Sequence, residues 1–158
     1  MLYFFLKYLH IIGACVLLGT GAGIAFFMLL ANLEGKPVVI AGVARIVVIA
    51  DFVFTATAVI AQPITGLLLA FEGGYSLREG WIVCSIALYL LTGAFWLPVV
   101  WMQMRLRDLA WNAAATNTAL PGEYHRMFWQ WCAFGVPAFI AVVTIFWLMI
   151  AKPQIELF

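Results

Sequence analysis

A chain of 158 residues with 66% hydrophobic and 9% charged side chains cannot clothe a water-soluble globule, which usually carries about 25% charge. The apolar solvent must be lipid, and the length suits one membrane domain spanning residues 1–158. A net charge of +1 with no Lys/Arg run excludes nucleic acid as a partner and excludes a polybasic lipid anchor.

Four apolar stretches each approach or exceed the ~20 residues needed to cross a bilayer. The first runs over about 3–33. It is roughly twice the length of a signal-peptide apolar core and is followed by equally apolar chain, so a retained helix is expected. Asn32-Leu33-Glu34-Gly35-Lys36-Pro37 closes it with charge, a glycine and a helix breaker. The second is expected over about 43–71, ending before Glu72-Gly73-Gly74. The third covers 81–104, and good helix formers can carry it on to 115. The fourth covers 123–152, from Pro121-Gly122-Glu123 to Lys152-Pro153. A transmembrane β-barrel would need strands of about 10 residues with alternating polarity, which are absent. The expectation is an all-α four-helix transmembrane bundle whose short connections make neighbours antiparallel.

Lys7, Arg78 and Lys152 fall on one side of this layout, and Lys36, Arg45, Arg105, Arg107 and Arg126 on the other. The excess of positive charge assigns the second side to the cytoplasm, so both termini are expected outside. Tyr3, Tyr8, Tyr75 and Trp81 mark the outer boundary, while Trp101, Trp111, Tyr124 and Trp129 are expected to form the inner aromatic belt.

Polar residues at depth normally face the protein interior. In the second helix Asp51, Thr55, Ala58, Gln62 and Thr65 follow helical spacing and draw one stripe. Ser85, Tyr89, Thr92, Trp96 and Gln103 repeat the pattern in the third. Such stripes serve as interhelical glue or as polar pathways. Asp51 needs a partner or a proton, and Arg45 and Arg105 are the cations near enough to snorkel beside it. In the first helix His10 shares a face with Gly13, which would make room for a flat cofactor. Gly19 and Gly23 form a small-xxx-small pair on roughly the opposite side, suited to a homo-oligomer. His10 and His125 are expected about 30 Å apart along the axis, too far to share one haem.

Pro63, Pro98 and Pro137 interrupt three helices and free the carbonyls of Val59, Ala94 and Ala133. Cys15, Cys84 and Cys132 lie in apolar segments without metal-like spacing and read as packing residues. No phosphate loop, CxxC, H-E-x-x-H or nucleophile elbow occurs.

Lys7-x-x-His10-Ile11-Ile12-Gly13 and Leu148-Met149-x-x-Lys152-Pro153, with the four-helix layout, resemble a bacterial family of predicted integral membrane proteins of unknown function. More distantly the two ends resemble the HemJ-type protoporphyrinogen oxidases and the CopD copper-resistance membrane domains. That resemblance implies haem b as cofactor, His10 as ligand of its iron, and Lys152 as the charged residue at the last helix end. Three functions therefore compete: a haem-binding redox protein, a structural or assembly subunit of a membrane complex, and a small transporter or proton-conducting subunit.

Overall fold

The computed structural model describes residues 1–156. Four helices are long and apolar enough to cross a membrane: α1 (Leu2–Glu34), α2 (Pro37–Glu72), α3 (Gly80–Ala115) and α4 (Gly122–Ala151). Their connections are short, so successive helices run antiparallel. Both chain ends and the α2–α3 loop lie on one face, here called the terminal face. The α1–α2 and α3–α4 turns make the opposite, hairpin face.

The first turn is tighter than the spacing of apolar residues predicts, because α2 starts at Pro37 and not near 43. Gly35 takes the left-handed conformation (φ 72°) and its N–H closes on the carbonyl of Ala31. Pro37 then occupies the first turn of α2, where its missing N–H has no helical partner to lose. Gly35 and Lys36 are thus the whole connection. The third helix continues unbroken to Ala115.

Asp51–Thr55 of α2 form a single π-helical turn, which no periodicity in the sequence announced. It marks a change of partner. Before the turn α2 packs on α3 as well as α1, and beyond it α2 packs chiefly on α1. α3 and α4 form the closest helix pair.

The main core fills the hairpin half. Met28, Ile40, Leu106 and Tyr124 are fully enclosed there, among Val47, Met102, Phe128 and Trp131. Tyr124 is therefore not part of the aromatic belt, unlike the exposed Trp101, Trp111 and Trp129. Its hydroxyl donates to Asn32 Oδ1 at 2.9 Å, and Asn32 donates to the carbonyl of Met28, tying the end of α1 to the start of α4. A buried tyrosine can be tolerated because its hydroxyl has that acceptor. A smaller cluster of Trp81, Ile82 and Leu148 joins α3 to α4 at the terminal face.

Pro63 leaves the carbonyl of Val59 without its helical donor, and the structure supplies another. Tyr89 of α3 donates its hydroxyl to that oxygen. Tyr89→Phe should therefore cost about 1–3 kcal/mol, the penalty for an orphaned buried carbonyl. Thermal unfolding in detergent should show the loss, and it should shrink in a Pro63→Ala background, where residue 63 regains an N–H. Equal losses in the two backgrounds would disprove this coupling.

Candidate functional site

The polar groups of α2 meet α1 in the terminal half through two reciprocal insertions. The His10 ring of α1 lies across Gly66, where an added Cβ would come within 3.2 Å of the ring. The Gln62 amide of α2 lies against Gly13 so closely that any Cβ there would collide with it. Gln62 Nε2 then donates to the carbonyl of His10 at 2.9 Å. Two glycines let the backbones approach, and two polar side chains fill the resulting hollows. Gly13 therefore does not leave room for a flat cofactor, because Gln62 occupies that space.

His10 Nδ1 lies 2.8 Å from Thr65 Oγ1. Thr65 also bonds back to the carbonyl of Ala61 at 2.8 Å, one turn earlier, which commits its single proton. His10 Nδ1 must then be the donor, and Nε2 carries the free lone pair. This tautomer is assigned from the hydrogen bonds, and it is the arrangement that prepares an imidazole to bind a metal. His10 and Thr65 are half-buried, and Gln62 is buried.

Further along α2, Asp51 is 4% exposed and Thr55 7%. Trp96 Nε1 of α3 lies 3.4 Å from Asp51 Oδ1, a long and weak bond. Neither arginine expected beside Asp51 reaches it. Arg105 instead pairs with Glu123 across α3 and α4 at 3.0 Å, and Arg45 is exposed. A guanidinium reaches water more readily than it descends into the bundle. Three enclosed polar atoms, Thr55 Oγ1, Gln103 Oε1 and Trp131 Nε1, make no hydrogen bond to another described residue.

Lys152, in the left-handed conformation after α4, reaches over the Tyr75 ring at 4.2 Å and donates to its hydroxyl at 2.5 Å. Trp81 flanks the same ammonium. His125 stands at the hairpin face in an open recess with Asn32 and Trp129, and so shares no site with His10. Among the described residues no three His, Cys, Asp or Glu side chains gather as metal ligands. Gly66 was missed in the sequence, although its place one turn after Gln62 on the same helix face was available to be read.

The reciprocal insertion predicts a contrast between glycines of α1. Gly13→Ala should drive Gln62 out and cost about 1–3 kcal/mol, as overpacking does. Gly21→Ala, with nothing within 4 Å of its new methyl, should be neutral or gain up to about 1 kcal/mol from helix propensity. Detergent melting of the two variants checks this, and equal melting temperatures would refute it.

No curated protein and no solved structure matches the chain. A family model described as "predicted integral membrane protein (DUF2269)" matches residues 4–153. With four apolar helices of spanning length and a match over nearly its whole length, the chain belongs to the DUF2269 family of predicted integral membrane proteins.

Proposed function

We propose that the protein is a haem-b-binding redox protein of the membrane, with His10 as the axial ligand of the iron. The observation that carries this reading is the hydrogen bond from His10 Nδ1 to Thr65, which leaves Nε2 free to bind iron. A porphyrin brings four nitrogens of its own, so a single protein ligand is enough where no three-residue metal cluster exists. Bound haem supplies one-electron transfer. Gln62 and Thr65, the polar groups nearest His10, are committed to other bonds, so neither serves as a second axial ligand. Lys7, Arg78 and Lys152 on the terminal face form no ion pair among the described residues and suit the propionates of a haem. The resemblance of the Lys7-x-x-His10 and Lys152-Pro153 segments to HemJ-type proteins supports the same cofactor.

Protein purified from haem-replete cells should show a Soret band of about one haem per chain, lost in His10→Ala. Thr65→Val should retain the haem and raise its reduction potential, since an imidazole without its Nδ1–H acceptor donates less charge to iron. Carbon monoxide should bind the reduced monomer readily. A colourless preparation would sink this reading and favour a structural or assembly subunit. The outward side of α1 favours that second reading, because Gly19 has nothing within 4 Å and Gly23 meets only Phe27 of its own helix. A second copy docking there would make a homo-oligomer.

The charge distribution supports an orientation with both termini outside, in the periplasm if the membrane is the bacterial inner membrane that the resemblance implies, the hairpin face carrying Lys36, Arg45, Arg105, Arg107 and Arg126. An Asn117→Cys variant in intact cells should resist a membrane-impermeant maleimide added outside. Rapid labelling would reverse the orientation.

A further inference from the structure

Asp51 is isolated from every other ionisable group at its depth. On α2 it is the only one between Arg45 and Glu72. The helix packed against its turn and the helix that reaches it through Trp96 offer none at its level: α1 has no ionisable side chain between Cys15 and Glu34, and α3 has none between Tyr89 and Arg105. The cations that could have reached inward are engaged elsewhere or exposed. Arg105 holds Glu123, Arg107 holds Asp108, Lys36 holds Glu34, and Arg45 is exposed. A carboxylate enclosed this way, 4% exposed and without a counter-ion, has nothing to offset its lost hydration.

The surroundings are built for the neutral acid. Asp51 opens the one π-helical turn among the described residues, a distortion frequent at functional sites. Thr55, at the other end of that turn, is enclosed and its hydroxyl has no hydrogen-bond partner among them. Trp96 can only donate, so it faces an acceptor oxygen of the carboxyl. The one hydrogen bond to the carboxyl is the long one from Trp96, which is too little to hold a full negative charge away from water, whereas the neutral acid needs only one accepting oxygen there. Gln103, two turns from Trp96 toward the hairpin face on the same side of α3, is also enclosed with a free Oε1.

We infer that Asp51, Thr55 and Trp96 form an intramembrane proton-binding site in which Asp51 is held as the neutral acid. The site is separate from His10 and does not depend on the haem reading. Binding makes one O–H bond on Asp51, with the proton taken from water and returned to it, and no electron moves.

Infrared spectroscopy of the intact protein in lipid nanodiscs tests this. Of the chain's seven Asp and Glu residues, Asp51 alone is enclosed in the bundle, and the others stand at the membrane faces. At neutral pH the protein should show the C=O stretch of a protonated carboxyl group, shifted in D2O and missing from Asp51→Asn. Trp96→Phe should move that band to higher frequency, because the acid's C=O loses its N–H donor, and a merely structural tryptophan would not move it. No band difference between the native protein and Asp51→Asn would overturn the proposal, as would a band that never shifts in D2O. A band that disappears on adding sodium would overturn it in favour of a cation site.

Discussion

A backbone or side-chain polar group exposed to hydrocarbon has no water to turn to, and that constraint organises this molecule. Lipid tails are as apolar as the side chains around them, so little hydrophobic force is left to draw the helices together. Close packing and the answering of polar groups must do it instead. Nearly every polar residue at depth is placed to meet a particular need. Tyr89 answers the carbonyl that Pro63 abandons, Gln62 answers the carbonyl of His10, and Thr65 answers the His10 ring. Asn32 answers Tyr124, the most enclosed aromatic group among the described residues. Each bond joins two helices, so the polar residues are also what fixes the helices in register.

α2 carries most of this burden and divides the protein in two. In the hairpin half it is a helix of Ile40, Ala41, Ala44 and Val47 set into a close-packed core. After the π-helical turn its enclosed positions become Ala58, Gln62 and Ala70, and it leans on α1 through glycines and hydrogen bonds. The inserted residue of a π-turn rotates the later part of a helix relative to the earlier part, so one helix can serve two partners. The buried apolar core is thus concentrated in the hairpin half, and the contact of α2 with α1 beyond the turn rests more on glycines and polar side chains. At the terminal face the cation of Lys152, laid over Tyr75 and beside Trp81, fastens the end of α4 to the α2–α3 loop.

The number and type of the helices were legible because spanning lipid demands about 20 apolar residues, a signal that needs no tertiary context. The start of α2 was not, since Pro37 reads equally as a breaker and as a first-turn residue, and only the left-handed Gly35 decides between them. The π-turn was invisible for a related reason: Asp51, Thr55, Ala58 and Gln62 fit ordinary helical spacing, and one widened hydrogen bond leaves no mark on it. Tyr124 looked interfacial because aromatic residues at a helix start usually are, and its burial depends on Asn32, which lies on a different helix. Arg45 and Arg105 were assigned to Asp51 by depth alone. Sequence spacing gives depth but not which side of a helix stays open to water.

The two candidate centres are far enough apart to act separately. Thr65, beside His10, follows Asp51 by fourteen residues, which is about 21 Å along α2 at 1.5 Å per residue. No hydrogen bond spans that distance, so Asp51 is neither a ligand nor a direct proton acceptor for chemistry at His10. Its electrostatic reach is also small. A full charge on Asp51 would act on a unit charge at His10 by about 0.8 kcal/mol at an effective dielectric of about 20. That is roughly half of a tenfold change in an equilibrium constant, too little to make one site control the other. Coupling, where it exists, has to run through the structure between them, and the polar contact that joins α2 to α3 on that stretch is the bond from Tyr89 to the carbonyl of Val59. The turn at Pro63 is therefore where a shift of α3 against α2 would reach both regions, because such a shift moves both Trp96 and Tyr89.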